Sequence, residues 1–349
     1  MLSITLEGPP FERGFQHGQK FAKEIKEEIR VFCPEHWLQS SDVAKLERRL
    51  TSSMAADFPE LLVEMMGISK GSGVSFEQII LLNLVLATND LESDAIATTF
   101  NLACTAIGIP DSDVGPIVAK NCDERQSAAP FYLFQTVYPE DNLAFMGISN
   151  VGTVWLEGGM NEAGLALMQT AGPTAPNQNG YGIACNIAPR PVITQCRTTE
   201  EAILLLKQMY VAGWGMGIVL ADLTGNVVVV EKTGDLCAVE SNGGRASFCT
   251  NHFTDSVMQV TEKIAHEGLE DNSKARYNTL NILFEERDWP QTLEGVKNAL
   301  AYHGDAGFIC QHGDANLHSN YSCIALVRDK KIFLGDGYPC QNNYSEYHL

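Results

Sequence analysis

The chain is predicted to be an α+β protein, with antiparallel sheet packed on sheet and helices outside. Three observations predict this. Roughly the first hundred of its 349 residues carry apolar side chains at helix spacing. The stretch after Leu102 alternates short apolar runs with polar turns, the signature of hairpins. Helix-period segments then return between the later strand groups. Short turns imply antiparallel neighbours, because parallel strands need long crossovers, and mixed elements of this kind bury their apolar faces in layers.

The elements follow in order. Phe21, Ile25, Ile29 and Phe32 recur at helix spacing with Lys and Glu between them. Leu61, Leu62, Met65 and Ile68 repeat the pattern and stop at Gly71 and Gly73, and a third run spans Phe76 to Leu86 after Ser75. The polar stretch Asn89 to Asn101 reads as a loop. TAIGI, PDSDVG and PIVAKN then read as strand, turn and strand, and LFQTVY, PEDN and LAFMGIS repeat the scheme. TVWLEGGMNEAGLALMQT supplies two more strands around a Gly-rich turn. Thr198, with Glu201 three residues on, is a capping box for a helix to about Met209. MGIVLAD, LTGN and VVVVE form another hairpin, helices follow near 256–266, 273–285 and 291–301, and CIALV, RDKK and IFLG close the series.

Composition narrows the function. Apolar residues make up 45%, enough for a large core. Asp plus Glu number 43 against 24 Lys plus Arg, a formal net charge of −19. Such a surface repels phosphates and anionic lipid, so neither nucleic acid nor membrane is an expected partner. No apolar run approaches the ~18 residues of a membrane span, and MLSITLEGPPFERG lacks the form of a signal peptide. The ten cysteines form no C-x-x-C pair and read mainly as reduced core thiols in a cytoplasmic protein.

Several residues are candidates for chemistry. Cys104, between Ala103 and a Thr at a loop-to-strand boundary, sits where chain cleavage would expose an N-terminal nucleophile. Its new α-amine, with a pKa near ~7.7–8, could then take the thiol proton. The alternative is an ordinary half-buried cysteine. Asp123, at the end of the paired strand, is either a partner for that amine or a turn residue. Lys120 is a nearby cation that would favour a thiolate, and Cys122 reads as structural. Asn251, in SFCTNHF, is either an oxyanion donor or a loop Asn. His303-Gly304-Asp305 and His312-Gly313-Asp314, with His318, match no standard ligand spacing, so no metal and no cofactor are expected. Arg276 reads as a helix-surface cation.

Taken together, MLSITLEGPPFERGFQHG, GISKGSGVSFEQIILLN, ACT, AKNCD and TNHF, in this order, resemble the acyl-coenzyme A:6-aminopenicillanic-acid acyltransferase (isopenicillin N acyltransferase) family. The resemblance spans residues 1 to 329. It implies a four-layer αββα N-terminal-nucleophile hydrolase fold and a precursor that cuts itself between Ala103 and Cys104. Residues 1–103 would then be a helical N-terminal segment and 104–349 the catalytic core, the two remaining together as a heterodimer. It further implies Cys104 as nucleophile, Asp123 as its amine partner, Asn251 in the oxyanion hole and the Thr170 backbone as a second oxyanion donor. Lys120 stands where related bile-acid hydrolases carry Arg.

The sequence departs from the family in three places. Ala103 replaces the usual Gly, Ser319 or Asn320 replaces the Arg of a Ser-Arg pair, and Gln311 replaces the Arg of I-C-R. The expected activity is hydrolysis or transfer of the acyl group of a small acyl-amine or thioester through a Cys104 acyl-enzyme. Two alternatives stay open: an uncut binding or scaffold protein, and a metal-dependent hydrolase using the region from His303 to His318.

Overall fold

The structure is a computed structural model that describes residues 1–33, 35–88, 103–177, 181–262, 269–312, 317–341 and 343–349. The chain starts on β1 (Leu2–Gly8) and continues through α1 (Pro10–Lys20), α2 (Ala22–Phe32), α3 (Ser41–Asp57), α4 (Pro59–Ser72) and α5 (Phe76–Thr88). α2, α4 and α5 are the three runs expected from the helix period. Ser40 caps α3 by accepting from the Val43 N–H, and Gly73 ends α4 at φ 68°, a left-handed conformation that glycine adopts without steric cost. The expected loop 89–101 lies outside the described residues.

The motifs GPPFERGFQHG and GISKGSG meet where α1 crosses α4. A Cβ at Gly14 would stand 1.9 Å from the Glu64 carbonyl oxygen, and one at Gly67 would stand 2.1 Å from that of Phe11. The two helices therefore touch backbone to backbone. Beneath the crossing, Glu64 is fully buried between Arg13 and Arg190, with N–O distances of 2.8 and 2.9 Å.

The hairpins appear as expected. β2 (Ala103–Ile109) and β3 (Ile117–Glu124) pair antiparallel, as do β4 (Tyr132–Pro139) and β5 (Phe145–Asn150). β6 (Gly158–Asn161), β7 (Ala166–Asn177) and β8 (Ile183–Ala184) come next, so the two glycines expected in a turn lie inside β6. α6 (Pro189–Gln195) and α7 (Thr199–Gln208) precede β9 (Val211–Ala221), β10 (Val227–Gly234), β11 (Leu236–Glu240) and β12 (Ser247–Cys249). The Thr198 side chain caps α7 by accepting from the Glu201 N–H. α8 (Ser256–Gln259), α9 (Leu269–Asn281), which runs into a π-helical turn (Ile282–Glu286), and α10 (Leu293–Leu300) follow. β13 (His303–Gly304), β14 (Gly307–Phe308), β15 (His318–Leu326), β16 (Lys331–Asp336) and β17 (Ser345–His348) complete the described elements.

Among the described residues the strands form a nine-stranded sheet, ordered β1-β4-β5-β6-β7-β9-β10-β11 with β8 beside β9, and a six-stranded sheet, ordered β12-β2-β3-β15-β16-β17. β13 and β14 pair separately. The two large sheets face each other, with β2 and β3 over β7 and β9. α5, α6 and α7 pack on the larger sheet, and α9 and α10 cover the smaller one. This is the expected αββα layering. The strictly antiparallel expectation fails at two places, the short β8, which runs parallel to β9, and the β1 edge. β1, in a stretch read as helical, runs parallel to β4 from Leu2 opposite Leu133 to Gly8 opposite Pro139. Its short LSITLEG alternation is outweighed in the sequence by the helical runs that follow.

The helical segment also fixes the loop that feeds the inner layer. Asn83, a polar residue within the apolar α5, accepts from the Val154 N–H (2.8 Å) and donates to the Gly152 carbonyl (3.0 Å), and its own carbonyl accepts from the Trp155 indole (2.9 Å). His17 Nε2 accepts from the Gly152 N–H at 2.9 Å. Burial lowers the His17 pKa to about 4, which keeps the ring neutral and that nitrogen an acceptor.

Candidate active site

Strand parity builds the site. Cys104 lies directly opposite Cys122, and Ala106 opposite Lys120, so these side chains share the face of the β2–β3 hairpin that looks into the gap between the sheets. Ala103 pairs with Asp123 and Thr105 with Asn121, which places those residues on the outer face towards α9. The site therefore has an inner side, holding the thiol, and an outer side, holding the groups around the start of β2.

On the outer side, the Cys104 backbone N–H donates to Asn251 Oδ1 at 2.7 Å. Arg276 is fully buried on α9, not a surface cation. Its guanidinium donates to the Cys104 carbonyl, to Thr105 Oγ1 (2.9 Å) and to Asn251 Oδ1 (2.9 Å). With two donors on that oxygen, the amide orientation of Asn251 is fixed by its network, and its Nδ2 donates to the Ala171 carbonyl at 2.8 Å. The atom Asn251 presents to Cys104 is thus an acceptor, and its amide NH₂ is already committed. Ser319 Oγ donates to Asp123 Oδ1. Among the described residues nothing donates to Asp123 Oδ2, which is buried. Burial raises the Asp123 pKa to about 6, against the opposing pull of the Arg276 charge.

On the inner side, the Cys122 thiol hydrogen-bonds that of Cys104 and, together with the Lys120 ammonium, lowers the Cys104 pKa. The Cys122 thiol is itself pushed well up, by burial first and by the Cys104 partner next. Burial alone would lower Lys120, but the facing Cys104 and Glu157 raise it above its ordinary value. The Lys120 ammonium is 3.1 Å from Glu157 Oε2, which also accepts from the Tyr321 hydroxyl at 2.5 Å. Cys122, expected to be structural, is therefore in direct contact with the candidate nucleophile.

The profile of the acyl-coenzyme A:6-aminopenicillanic acid acyl-transferase family matches residues 111–300, more than half of the chain. The chain belongs to this family. It is an acyl-transferring or amide-hydrolysing enzyme. Among solved structures it is similar to a Clostridium perfringens conjugated bile acid hydrolase (13% identity, 70% of this chain and 97% of the other, TM-score 0.49). It is also similar to a Caenorhabditis elegans N-acylethanolamine-hydrolyzing acid amidase ortholog (12% identity, 70% and 100%, TM-score 0.48). A third is Agrobacterium tumefaciens penicillin V acylase (12% identity, 70% and 86%, TM-score 0.41). No curated protein sequence matches the chain significantly.

In this acyltransferase-family member Cys104 lines a small cavity of about 50 Å³. Glu28 and Phe32 of α2 form one wall, with Glu124, Asn150 and Glu157 beside them. Burial pushes Glu28 well above the ordinary carboxylate range and Glu124 up to about 8. Three buried cavity atoms, Glu28 Oε2, Asn150 Oδ1 and Asn186 Oδ1, accept from nothing among the described residues. Gln169 and Ala171 line this cavity, while their neighbour Thr170 turns its hydroxyl to the Thr250 carbonyl at 2.7 Å.

Ser319 lies beside Asp123, and Asn320 Nδ2 donates to the carbonyls of Glu124 and Arg125. Sequence reading missed Arg276 and Glu157 because both arrive from elements far away in the chain. An Arg on a helix of weak apolar period gives no sign of facing inward.

Proposed function

We propose that the enzyme is a self-processing N-terminal-cysteine amidohydrolase or acyltransferase acting on a small, cationic acyl-amine. The observation that carries the reading is the setting of the Cys104 nitrogen: it donates to Asn251 Oδ1, Arg276 secures the adjoining carbonyl, and the opposite-strand Asp123 keeps an unpaired oxygen. In this proposal the Ala103–Cys104 bond is cut, leaving 1–103 and 104–349 as a heterodimer held by the shared core. The freed α-amine takes the thiol proton, with Asp123 and Asn251 Oδ1 as its acceptors. The thiolate attacks the acyl carbonyl, the amine leaves with that proton, and water or a second amine releases the acyl group from Cys104.

This arrangement gives Asn251 an amine-holding role in place of the expected oxyanion role. Oxyanion charge would fall to Lys120, whose ammonium lies on the thiol side, and the Thr170 backbone is not used. The cationic preference rests on the cavity: three unpaired acceptors and three carboxyl groups, Glu28, Glu124 and Glu157, face one cation, Lys120. The free thiols throughout the chain fit a reducing compartment such as the cytoplasm.

Intact mass and N-terminal sequencing of freshly purified protein test the proposal. Two fragments are expected, one starting at Cys104, with one uncut chain and no acyl transfer for Cys104→Ala. An active wild-type protein with a single N-terminus would overturn it.

A further inference from the structure

Beyond the start of β15, at the end of the smaller sheet that carries Asp123, four side chains converge that the reaction does not use. The imidazoles of His303 and His312 and the thiols of Cys310 and Cys340 place their ligand atoms all within 4.8 Å of one another. His312 Nε2 is 3.2 Å from the Cys310 sulfur and 3.1 Å from the Cys340 sulfur. A tetrahedral zinc ion with Zn–S about 2.3 Å and Zn–N about 2.0 Å sets sulfur and nitrogen ligands roughly 3.5 Å apart, so small adjustments would accommodate it.

We propose that these residues form a structural His₂Cys₂ site for a thiophilic divalent ion, zinc being the expected occupant. Two thiols would lose their protons on binding, leaving a neutral centre. The site is closed, with four protein ligands, so it is a clamp and not a Lewis-acid centre for hydrolysis. His303 comes from the β13–β14 hairpin, Cys310 and His312 from the irregular segment after it, and Cys340 from the 3₁₀ turn Pro339–Gln341. The spacing matches no linear motif, which is why the sequence predicts no metal. Tyr338 stacks on His312 with centroids 4.0 Å apart and 11° between planes, fixing the ring.

The clamp also touches the proposed reaction, and this part rests on the function proposed above. Gln311, between two of the ligands, donates its N–H to Ser319 Oγ (2.9 Å), and Ser319 in turn donates to Asp123. Gln311 Oε1 accepts from Asn272 Nδ2 at 3.3 Å, while Asn272 Oδ1 accepts from Arg276 Nε at 2.8 Å. Gln311 is thus a positioning residue for both Asp123 and Arg276, and a metal on its neighbours would hold it still.

Metal uptake by the full chain tests the site independently of catalysis. Reduced wild-type protein titrated with Co²⁺ should show thiolate-to-cobalt charge transfer and tetrahedral d–d bands, saturating at about one ion per chain and displaced by Zn²⁺. Cys340→Ser, at an exposed position, and His312→Asn should lose most of that absorption while retaining the wild-type circular dichroism. Zinc should also slow amide exchange at Gln311. Absence of charge transfer in reduced wild-type protein, or its persistence in both variants, would overturn the proposal. Normal metal uptake without slowed exchange at Gln311 would leave the site standing and remove the positioning role.

Discussion

Arg276 on α9 donates to the main-chain carbonyl of Cys104, 172 positions earlier in the chain. One guanidinium thereby ties the start of β2 to the Asn251 side chain and lies close enough to Asp123 to oppose the rise in its pKa. Removing it should loosen the proposed cleavage junction. Arg276→Met is expected to lower both chain cleavage and turnover by about 10²–10³, the usual effect of losing a preorganised charged donor. Cleavage is read by gel and mass spectrometry, with circular dichroism confirming the fold. Normal cleavage in a folded variant would remove Arg276 from the machinery.

Asn251→Ala removes the acceptor for the Cys104 nitrogen. Turnover of the processed enzyme should fall by about 10–10², the effect of losing a hydrogen bond to a charged group. Asn251→Asp retains an oxygen there and should recover part of the loss. Equal activity of Ala and Asp variants would contradict an amine-holding role.

Asp123 must be ionised to hold an ammonium, and burial raises its pKa to about 6. The carboxylate is present above that value and is lost as pH falls through it. The acid limb of kcat/KM should therefore centre near pH 6. Asp123→Asn should remove that limb together with most of the activity. An acid limb below the ordinary carboxylate range would refute the assignment.

The cavity carboxyls give a proton-linked signature. Glu124, raised to about 8, and Glu28, raised well above its usual range, hold protons at neutral pH. A bound cation favours their ionised forms, so a small cationic amine should release protons on binding at pH 7. Calorimetry of β-alanine amide in buffers of different ionisation enthalpy reads this directly. Proton uptake would contradict the cationic preference.

Glu64 tests the fold separately from the site. Its carboxylate would be raised by burial, but Arg190 and Arg13 hold it below the usual value. Because its folded pKa is depressed, its stabilising effect is present above the ordinary carboxylate range and fades as pH falls towards the folded value. Glu64→Gln leaves two buried guanidinium groups without a counter-charge and should cost about 3–5 kcal/mol in urea unfolding at pH 7. A loss below about 1 kcal/mol, the range of an exposed pair, would show the triad to be relaxed in solution.

By itself the sequence determined the layered α+β class, most hairpins and the catalytic candidates on β2 and β3. Those features are local. A period of two or 3.6 residues assigns each side chain to a face, and a short turn sets Cys104 and Asp123 on neighbouring strands. The order of its motifs also carried the family, and GPPFERGFQHG with GISKGSG supplied the glycines for the α1–α4 contact. Tertiary structure alone decided that β1 joins the sheet edge, that Arg276 turns inward, that Asn251 offers oxygen and not nitrogen, and that Glu28 and Glu157 share a cavity with the thiol. The same holds for the meeting of His303 and Cys340. Periodicity states which face of an element is buried. It does not state which element lies across from that face, because that choice is made by the packing of layers far apart in the chain.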